Sequence, residues 1–533
     1  MTIMENKIKV LAVDDEKFNL MLLKGCLKAD QYEIVGCTNA VDALQEYKKQ
    51  YFDVLLLDVL MPGIDGFELR KLIRGIDKEK PIIFLTALVD DVNTTMLNQI
   101  SWDPYTYYMN KSYSKKLLSN KIEQAVEVYR SKRMMESYYN KLETEMDVAG
   151  DLQKLLLPDW CVLNKAFCAS FIYLPCAKVS GDIYELFQIY GDKYLFFVGD
   201  IAGHGMQAAL YMAAVQSFLK VAAAGKDVKP HNLLNQLNSF FCNELGSGTY
   251  MTCLVAVVDF GSNHISIQSA GHPGLVGCSA NNEKVWQIGD HNKGGMPIGW
   301  FAENKYTEDD TSDAVFEDDT VIIGCSDGLM DLTNKDNVSM SDDDRNELIG
   351  MLSVSSDVIT IPYRIMKSME QIGFDHNPDD VCVVAFKKQL KNEKLIIKRI
   401  PPQISNVSKT AIEFSNFIQE KTGNLELAAK IELLISEYLN NVIIHGMNSK
   451  QSSKNIICMS LMVDEHDIVL RGLDRGKIWE FSPNTNDVNA DGGSSAGNAA
   501  TSGRGLQIIR DITDHVTHDT YYGLNETVFY VKY

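Results

Sequence analysis

The sequence predicts a multidomain chain of the α/β and α+β classes, and three observations lead to this fold class. With 533 residues the chain is too long for a single hydrophobic core, so three or four domains are expected. Residues 5–128 alternate strand-like and helical runs, as in a parallel sheet covered by helices. Residues 159–388 contain strand-rich runs and two amphipathic helical zones, a pattern that predicts stacked sheets flanked by helices. Residues 400–533 form a further module of helices and strands.

The composition argues against several classes of function. A formal charge of −20 makes nucleic acid or an anionic membrane an improbable main partner. The eleven cysteines contain no CxxC pair, and most lie in apolar runs, as buried thiols of a reducing compartment do. The most apolar long stretch, Ala208–Gly225, is interrupted by Gln216 and Lys220, which favours a core helix over a membrane span. With no signal-peptide pattern at the N-terminus, a cytoplasmic location is expected.

Polar residues follow the predicted parallel strands of residues 5–128. Asp14 and Asp15 come after the first strand, Asp58 and Thr86 end two others, and Lys111 follows the last. Side chains at the carboxyl ends of parallel strands gather at one edge of the sheet. The set predicts that the three acids hold Mg²⁺, that Asp58 is the nucleophile for an incoming phosphoryl group, and that Thr86 and Lys111 bind its oxygens.

The run D-x-L-M-P-x-x-D-G that starts at Asp58 resembles the signature of the response-regulator receiver domain, which has a CheY-like doubly wound fold. The resemblance implies that an upstream histidine kinase leads to phosphorylation of Asp58. One departure is Ser112, where the family usually has a proline with a cis peptide, so the geometry of that loop is left open. The alternative is a flavodoxin-like domain without phosphotransfer.

Residues 129–158 are predicted to form a helical linker, since the stretch is charged and contains Gly150 as its only glycine before Pro158. Its apolar residues recur in steps of three or four, which indicates one apolar stripe. Two interpretations stay open: the helix packs on its own phosphatase core, or it forms the coiled-coil seam of a homodimer. Either would transmit a shift from one end to the other. The stripe consists of Met135, Tyr138, Leu142, Met146, Ala149, Leu152 and Leu156.

The stretch GDIAGHGMQAAL places Asp200 at the end of a buried strand, before a glycine turn and an alanine-rich helix. Alone, an acid in this position is most often turn chemistry. However, Asp182 in SGDIYE, Asp327 in CSDGLMD and the pair Asp379-Asp380 in NPDDVCVVAF border similar apolar runs. Acids at strand ends can converge on divalent cations, which prefer carboxylate and carbonyl oxygens.

These motifs, in this order, resemble the metal-dependent serine/threonine phosphatases of the PPM (type 2C) superfamily, especially the bacterial SpoIIE-like branch that acts on sigma-factor regulators. The resemblance covers roughly residues 149–388. It implies an α/β/β/α sandwich with two Mn²⁺ or Mg²⁺ ions that activate water to attack phosphorus without a covalent intermediate. His204, between two glycines, is either a general acid or a structural hydrogen-bonding residue. The implied cation ligands are Asp182, Asp200, Asp327 and Asp379, the carbonyl of Ile201, and Asp380 as a further candidate.

The last module begins after Pro401-Pro402. A helix over residues 425–445 carries Glu437, Asn441 and His445 on one face, because they are spaced by four residues. A strand then delivers Asp474 into a D-x-G turn that Gly476 closes. Residues 485–503 are a Gly/Ser/Asn/Ala-rich lid. The run GRGLQIIR follows, and its glycines, Gly503 and Gly505, are expected at a helix start, where free N–H groups can meet phosphate.

This set resembles the GHKL-type ATP-binding fold of gyrase-type ATPases and histidine kinases, particularly the RsbW-like anti-sigma-factor serine kinases. The resemblance implies that Asn441 coordinates Mg²⁺ on ATP, that Asp474 binds the adenine amino group, and that Glu437 takes the proton from an attacking hydroxyl. A histidine kinase is disfavoured because residues 395–430 contain no histidine. A non-catalytic, ATP-gated binding domain is the alternative.

Taken together, the three resemblances imply a phosphorelay-controlled regulator that dephosphorylates and phosphorylates a STAS-domain anti-anti-sigma factor, and thereby controls sigma-factor availability. Opposing activities on one chain make sense when both address the same substrate. The alternative is a phosphatase whose last domain sequesters a sigma factor or STAS partner, and an anti-sigma factor is a further possible partner.

Overall fold

The structure is a computed structural model that describes the chain except residues 1–6, 87–102, 204, 226, 246–247, 280–281, 291–292, 356, 377, 390–391, 448–454 and 478–498. Side chains are also left undescribed at 282–284, 354–355 and 499–504. The chain divides into two compact units, Met1–Glu145 and Met146–Tyr533. Among the described helices, none combines the length and the apolar character needed to cross a bilayer.

The first unit contains a five-stranded parallel sheet in the order β2-β1-β3-β4-β5, which confirms the doubly wound fold. Its third strand, VLLLD, is buried along its whole length, as expected for a parallel strand covered on both faces. The elements are β1 Ile8–Val13, α1 Lys17–Cys26, β2 Tyr32–Cys37, α2 Ala40–Lys49, β3 Val54–Asp58, α3 Gly66–Arg74, β4 Ile82–Thr86 and β5 Thr106–Asn110.

The predicted linker is the extension of a longer helix, α4, which spans Lys115–Leu156. Its first turns bury Leu118 and Ile122 in the core of the first unit. The helix therefore begins inside the receiver-like segment and does not start at residue 129. Along the predicted stripe, Met135 and Tyr138 are 74% and 67% exposed, so this apolar face is open to solvent in the single chain.

In the second unit, residues 161–388 form two stacked sheets with helices outside, which is the expected α/β/β/α sandwich. One sheet runs β14-β11-β10-β9-β8 with β15 beside β11, and the other runs β13-β12-β16-β17-β7-β6. Aromatic rings join the two sheets: Phe196 of one meets Phe386 of the other, with ring centroids 5.4 Å apart. Helices α5 and α6 cover the first sheet, and α7 and α8 cover the second.

The strands of this sandwich are β6 Cys161–Leu163, β7 Phe167–Leu174, β8 Asp182–Tyr190, β9 Lys193–Ile201, β10 Met251–Asp259, β11 His264–Ala270, β12 Leu275–Ser279, β13 Asn282–Ile288, β14 Gly294–Gly295, β15 Ser312–Val315, β16 Val321–Cys325 and β17 Val381–Lys388. Its helices are α5 Met206–Ala222, α6 Pro230–Phe240, α7 Asp342–Ser355 and α8 Ile361–Gln371.

The C-terminal segment is an antiparallel sheet, β18-β19-β20-β22-β21, with helices on one face. Its other face shares an apolar core with the phosphatase-like sandwich, where Cys458 and Leu473 lie in the same cluster as Ile172 and Tyr363. The elements are β18 Leu395–Ile400, α9 Ser405–Thr422, α10 Leu425–Asn441, β19 Ile457–Val463, β20 Asp467–Asp474, α11 Ala499–Ile512, β21 His515–Tyr521 and β22 Leu524–Lys532.

Two helix ends differ from the sequence prediction. Helix α10 ends at Asn441 and continues as a π-helical turn over Val442–Gly446, so His445 is displaced from the four-residue spacing and is exposed. Helix α11 spans Ala499–Ile512 and opens with two alanines, which favour helix. The glycines at 503 and 505 therefore lie in its second turn rather than at its start.

Candidate functional sites

The receiver-like site lies where β1 and β3 end. One carboxylate oxygen each from Asp14, Asp15 and Asp58 lies within 4.8 Å of the others. The Lys111 Nζ atom is 2.8 Å from Asp58 Oδ2 and 2.9 Å from Asp14 Oδ2. Thr86 ends β4, and its carbonyl accepts the Lys111 backbone N–H at 2.7 Å. The structure thus brings the three acids and the lysine together as the strand-end pattern predicts.

The environment of Asp58 suits a phosphoryl acceptor. Burial raises the pKa of Asp58, and the hydrogen bond from Lys111 opposes that shift. A Cβ atom on Gly66 would lie 2.1 Å from the Asp58 carbonyl oxygen, so only glycine fits this position of the signature. Ser112 donates its N–H and Oγ to Asn110 Oδ1, at 2.8 and 2.6 Å. Lys111 contacts both Asp14 and Asp58 although serine, not the usual proline, follows it.

The acids of the central motifs converge in the sandwich. Asp182 and Asp200 are directly paired across the β8–β9 ladder. Burial first, and then the carboxylates of Asp327 and Asp379, raise the pKa of Asp200 to about 7. Burial and the Asp200 carboxylate also raise the pKa of Asp182 far above its usual range, and burial with Asp379 raises that of Asp327. These acids face one another, so each carboxylate makes ionisation of its neighbours less favourable.

The donor chemistry at this point fits divalent cations. Within the described part of the chain, buried Asp182 Oδ2 has no hydrogen-bond partner, and the Ser326 hydroxyl opposes the rise in the pKa of Asp182. Asp182, Asp200 and Asp327 are not among the described triads whose ligand atoms all lie within 4.8 Å. A centre with more than one ion spreads its ligands further than a single ion does. A Cβ on Gly181 would lie 2.6 Å from the Ile201 carbonyl oxygen and 3.1 Å from Asp200 Oδ1, so the glycine keeps this oxygen-rich space open.

Both carboxylate oxygens of Asp380 accept hydrogen bonds from backbone N–H groups. Its Oδ1 accepts the Cys176 N–H at 2.7 Å, and its Oδ2 accepts the Gly181 N–H at 3.1 Å. Asp380 therefore ties the start of β17 to the loop that leads into Asp182. A Cβ on Gly328 would lie 1.9 Å from the Asp380 carbonyl oxygen, which explains the glycine after Asp327.

The end of helix α4 holds the same loop. Gln153 is buried; its Nε2 donates to the Ser180 carbonyl at 2.6 Å, and its Oε1 accepts the Ser180 N–H at 3.1 Å. One turn earlier, a Cβ on Gly150 would lie 2.2 Å from the Lys178 carbonyl oxygen. Gly150 thus permits close contact, and Gln153 anchors the segment just before Asp182.

In the C-terminal segment, Asp474 lies buried at the end of β20. Its Oδ1 accepts the Gly476 N–H at 2.8 Å and Asn525 Nδ2 at 3.0 Å. Burial raises the pKa of this carboxyl group, and the Asn525 amide, the Gly476 N–H and the Tyr438 hydroxyl oppose that shift. A buried carboxylate at the end of a strand can accept a hydrogen bond from an amino group such as that of adenine.

The phosphate end of the expected ATP site lies along α10. A Cβ on Gly505 would be 2.6 Å from Glu437 Oε2 and 3.6 Å from Asn441 Nδ2, so α11 approaches this face of α10 closely. The Asn441 Nδ2 atom is buried and bonds to none of the described residues. Glu437, Asn441 and Gly505 are therefore brought together, and the unsatisfied amide fits a polar ligand. The side-chain environment of Gly503 lies outside the described residues.

Some predicted features lie outside the described residues, and some site residues were missed. His204 and most of the 485–503 lid cannot be assessed here because they fall in the undescribed ranges. Gln153 and Asn525 were not predicted, because their partners lie 27 and 51 residues away and no local motif marks them.

Three family models match the chain in sequence order. They are the response regulator receiver domain at residues 10–123, Stage II sporulation protein E (SpoIIE) at 190–389, and the histidine kinase-like ATPase domain at 400–529. The chain therefore contains a receiver domain, a PPM-type phosphatase domain and a histidine kinase-like ATPase domain. Phosphatase domains of this type generally use divalent metal ions, and ATPase domains of this type use ATP.

Curated relatives match short parts of the chain. The transcriptional regulatory protein SpaR of Bacillus subtilis is 46% identical over 83 residues, which is 16% of this chain and 37% of SpaR. The transcriptional regulatory protein ResD of Bacillus subtilis (strain 168) is 36% identical over 100 residues, which is 19% of this chain and 41% of ResD. The chain thus spans less than half the length of these relatives.

Solved structures are similar to parts of the chain at low TM-scores. The RsbU and RsbW domains of Rv1364c from Mycobacterium tuberculosis are 18% identical, with a TM-score of 0.38, 70% of this chain covered and 95% of the other. The SiaA-PP2C domain of Pseudomonas aeruginosa is 17% identical, with a TM-score of 0.40, 47% of this chain covered and 98% of the other.

Proposed function

We propose that this chain is a phosphorelay-controlled, partner-switching regulator. It dephosphorylates a STAS-domain anti-anti-sigma factor on serine or threonine, phosphorylates the same protein through its ATPase domain, and thereby controls sigma-factor availability. The observation that carries the proposal is the convergence of Asp182, Asp200 and Asp327 around buried, uncompensated oxygen atoms.

In the dephosphorylation reaction, Asp182, Asp200, Asp327 and Asp379 would hold Mn²⁺ or Mg²⁺ with the Ile201 carbonyl. Cations held there would lower the pKa of a water molecule and offset charge on the phosphoryl oxygens. The chain's own contribution is position: the β8–β9 pairing fixes Asp182 beside Asp200, and Asp380 with Gln153 fixes the loop before Asp182.

In the phosphorylation reaction, Asp474 and Asn441 would bind the two ends of ATP, the adenine amino group and the Mg²⁺ on the phosphates. The glycines Gly476, Gly503 and Gly505 would leave room for the nucleotide. Glu437 would accept the proton of the substrate hydroxyl as the phosphoryl group transfers. The support for this arrangement is that Glu437 and Asn441 lie together beside Gly505.

The input would be phosphorylation of Asp58 after signalling by an upstream histidine kinase. Helix α4 starts within the receiver domain and ends at the loop that precedes Asp182. A change in the position of α4 would therefore move a ligand-bearing loop directly. On this proposal Asp58→Ala holds the balance of kinase and phosphatase activity in one state, whatever the phosphodonor.

The experiment combines the full chain, ATP and Mg²⁺ or Mn²⁺ with a STAS-domain protein from the same genome, in phosphorylated and unphosphorylated forms. The phosphate content of the STAS protein is measured by mass spectrometry. Turnover in both directions is expected, and absence of turnover in either direction refutes the proposal. Asp200→Ala should abolish only dephosphorylation, and loss of ATP binding as well would mean that the two domains do not act independently.

Glu437→Gln separates the kinase from a domain that merely sequesters a partner. If this variant makes as much phosphorylated STAS protein as the wild type, the ATPase domain is a nucleotide-gated binding module for a sigma factor or STAS partner. If phosphorylation is lost while ATP still binds, Glu437 acts in the kinase reaction.

A further inference from the structure

Three aromatic side chains, Tyr250, Trp300 and Phe301, form an exposed group that we call the aromatic patch. The ring centroids of Tyr250 and Trp300 are 5.5 Å apart, and those of Trp300 and Phe301 are 6.3 Å apart. Trp300 is 52% exposed, Phe301 is 54% exposed and Tyr250 is 37% exposed. Exposed apolar side chains that lie side by side mark surfaces that contact a partner, whereas single ones are common on any protein.

Backbone pairing places the aromatic patch at the same sheet edge as the Asp200–Ile201 end of β9. Antiparallel β10 begins there, with Met251 paired to Ile201. The residue after Ile201 donates its N–H to the Tyr250 carbonyl at 2.9 Å. On its other side, Met251 pairs with Ile298, which lies two residues before the second aromatic ring. Ile298 is thus two strand spacings, about 10 Å, from the carbonyl proposed as a metal ligand.

The loop that carries two of the rings is fixed from below by Asn238, a buried residue of α6. Its Oδ1 accepts the Gly299 N–H at 2.8 Å, and its Nδ2 donates to the Phe301 carbonyl at 3.0 Å. Gly299 has a φ of +86°, and a Cβ there would lie 2.8 Å from the Thr249 carbonyl oxygen, so glycine lets the loop pack against the segment before Tyr250. A surface that is held in place in this way loses less conformational entropy when a partner binds.

The position of the aromatic patch decides which partner fits it. A specific protein–protein interface buries about 800 Å² on each partner, which corresponds to a disc of about 16 Å radius. The distance of about 10 Å from Ile201 to Ile298 lies within this radius. A folded protein whose phosphorylated residue reaches the metal centre would therefore cover the patch as well. A small ester such as p-nitrophenyl phosphate contacts a much smaller area around the phosphorus atom.

We propose that the aromatic patch is the docking surface for the protein substrate of the phosphatase, and that it binds an apolar area beside the phosphorylated serine or threonine of a folded protein. Tryptophan and tyrosine supply a large contact area at a low cost in conformational entropy, and they often dominate the free energy of binding. Trp300 is expected to contribute most, because its ring lies between the other two. The proposal rests on the proposed function and names the surface through which the phosphatase centre selects its substrate.

The test compares two substrates of the full chain with Mn²⁺: the phosphorylated STAS-domain protein and p-nitrophenyl phosphate. Trp300→Ala and Phe301→Ala are assayed beside Tyr190→Ala. Tyr190 is the matched control, since it is 65% exposed and lies at the opposite end of β8 from Asp182. For each variant, kcat/KM for the phosphoprotein is divided by kcat/KM for the small ester, which cancels any loss of folded protein. This ratio should fall at least about tenfold in Trp300→Ala, through KM rather than kcat, and should equal the wild-type ratio in Tyr190→Ala.

If wild type hydrolyses both substrates and the ratio is unchanged in Trp300→Ala and Phe301→Ala, the docking surface is refuted and the proposed function stands. If wild type hydrolyses p-nitrophenyl phosphate but not the STAS-domain protein, the proposed substrate is wrong and the docking proposal fails with it. Hydrolysis of neither substrate refutes the phosphatase function as well. The other possible occupant, a second copy of this chain, is tested by light scattering: if Trp300→Ala converts a dimer into a monomer, the patch is a self-association surface and the proposal is wrong.

Discussion

Gln153 is the side chain through which the end of α4 holds the loop before Asp182, so its replacement tests how the phosphatase centre is positioned. Gln153→Leu keeps a similar volume but removes the amide. The Ser180 N–H and carbonyl then lose the partners that they have at 3.1 and 2.6 Å. Because Gln153 is only 5% exposed, water cannot easily replace the amide.

The size of the effect follows from these two bonds. A buried backbone group left without a partner costs about 1–3 kcal/mol, so the two Ser180 groups together cost about 2–6 kcal/mol. Most of this free energy destabilises the conformation in which the Ser180–Asp182 loop packs against the end of α4. When a group that positions metal ligands is removed, affinity for the metal typically falls by about 10- to 100-fold. The variant should therefore bind Mn²⁺ at the phosphatase centre at least about tenfold more weakly.

The assay measures the Mn²⁺ dependence of p-nitrophenyl phosphate hydrolysis, together with the free energy of unfolding in urea. Gln216→Leu is the matched control, since Gln216 is also buried but donates to Glu185 Oε1 in β8 at 2.8 Å and not to the Ser180 backbone. Both variants should lose stability, and only Gln153→Leu should need more Mn²⁺. If the two variants show the same Mn²⁺ dependence, α4 does not position the loop and the reasoning is wrong.

Three further predictions concern the buried acids. Burial raises the pKa of Asp200 to about 7, so ionising it between about pH 4 and pH 7 destabilises the metal-free folded state. In EDTA, the free energy of unfolding of Asp200→Asn relative to that of wild type should therefore rise by up to about 4 kcal/mol over this range, as measured in urea. A difference that stays constant with pH contradicts this. Asp474→Asn should weaken ATP binding about 10- to 100-fold in calorimetry, because the adenine amino group would meet a donor, and unchanged affinity would exclude the adenine role. Glu526→Gln should lower the unfolding free energy of the full chain by about 1–3 kcal/mol, because the buried carboxylate pairs with Arg364 at 2.8 Å and with Arg471 at 3.0 Å. The loss is moderate because both arginines are partly exposed. An unchanged unfolding free energy would mean that these ion pairs do not stabilise the packing of the ATPase domain on the phosphatase domain.

The parts of the fold that depend on local pattern could be predicted from the sequence. Apolar runs that end in acids correctly placed Asp58 at the end of β3 and Asp200 near the end of β9. The alternation of strands and helices correctly predicted the parallel sheet of the first unit. These features depend on residues close together in the chain, where periodicity and turn chemistry carry the information.

The parts that depend on packing between distant segments could not be predicted. Asn525 reaches Asp474 because β22 pairs with β20 in one register, and Gln153 reaches Ser180 because Gly150 lets the helix approach the loop. The π-helical turn after Asn441 likewise has no sequence signal in a strongly helical run. Such contacts depend on tertiary geometry rather than on local propensity.

Asp182, Asp200 and Asp327 lie far apart in the chain but are expected to share one divalent-cation centre. This is tested most directly by counting the Mn²⁺ ions bound to the full chain without ATP. Electron paramagnetic resonance of free Mn²⁺ gives this number for wild type, Asp200→Ala and Asp327→Ala. The account predicts that each variant loses Mn²⁺ from the phosphatase domain while the ion at Asp14, Asp15 and Asp58 remains. Unchanged Mn²⁺ binding in both variants would contradict it.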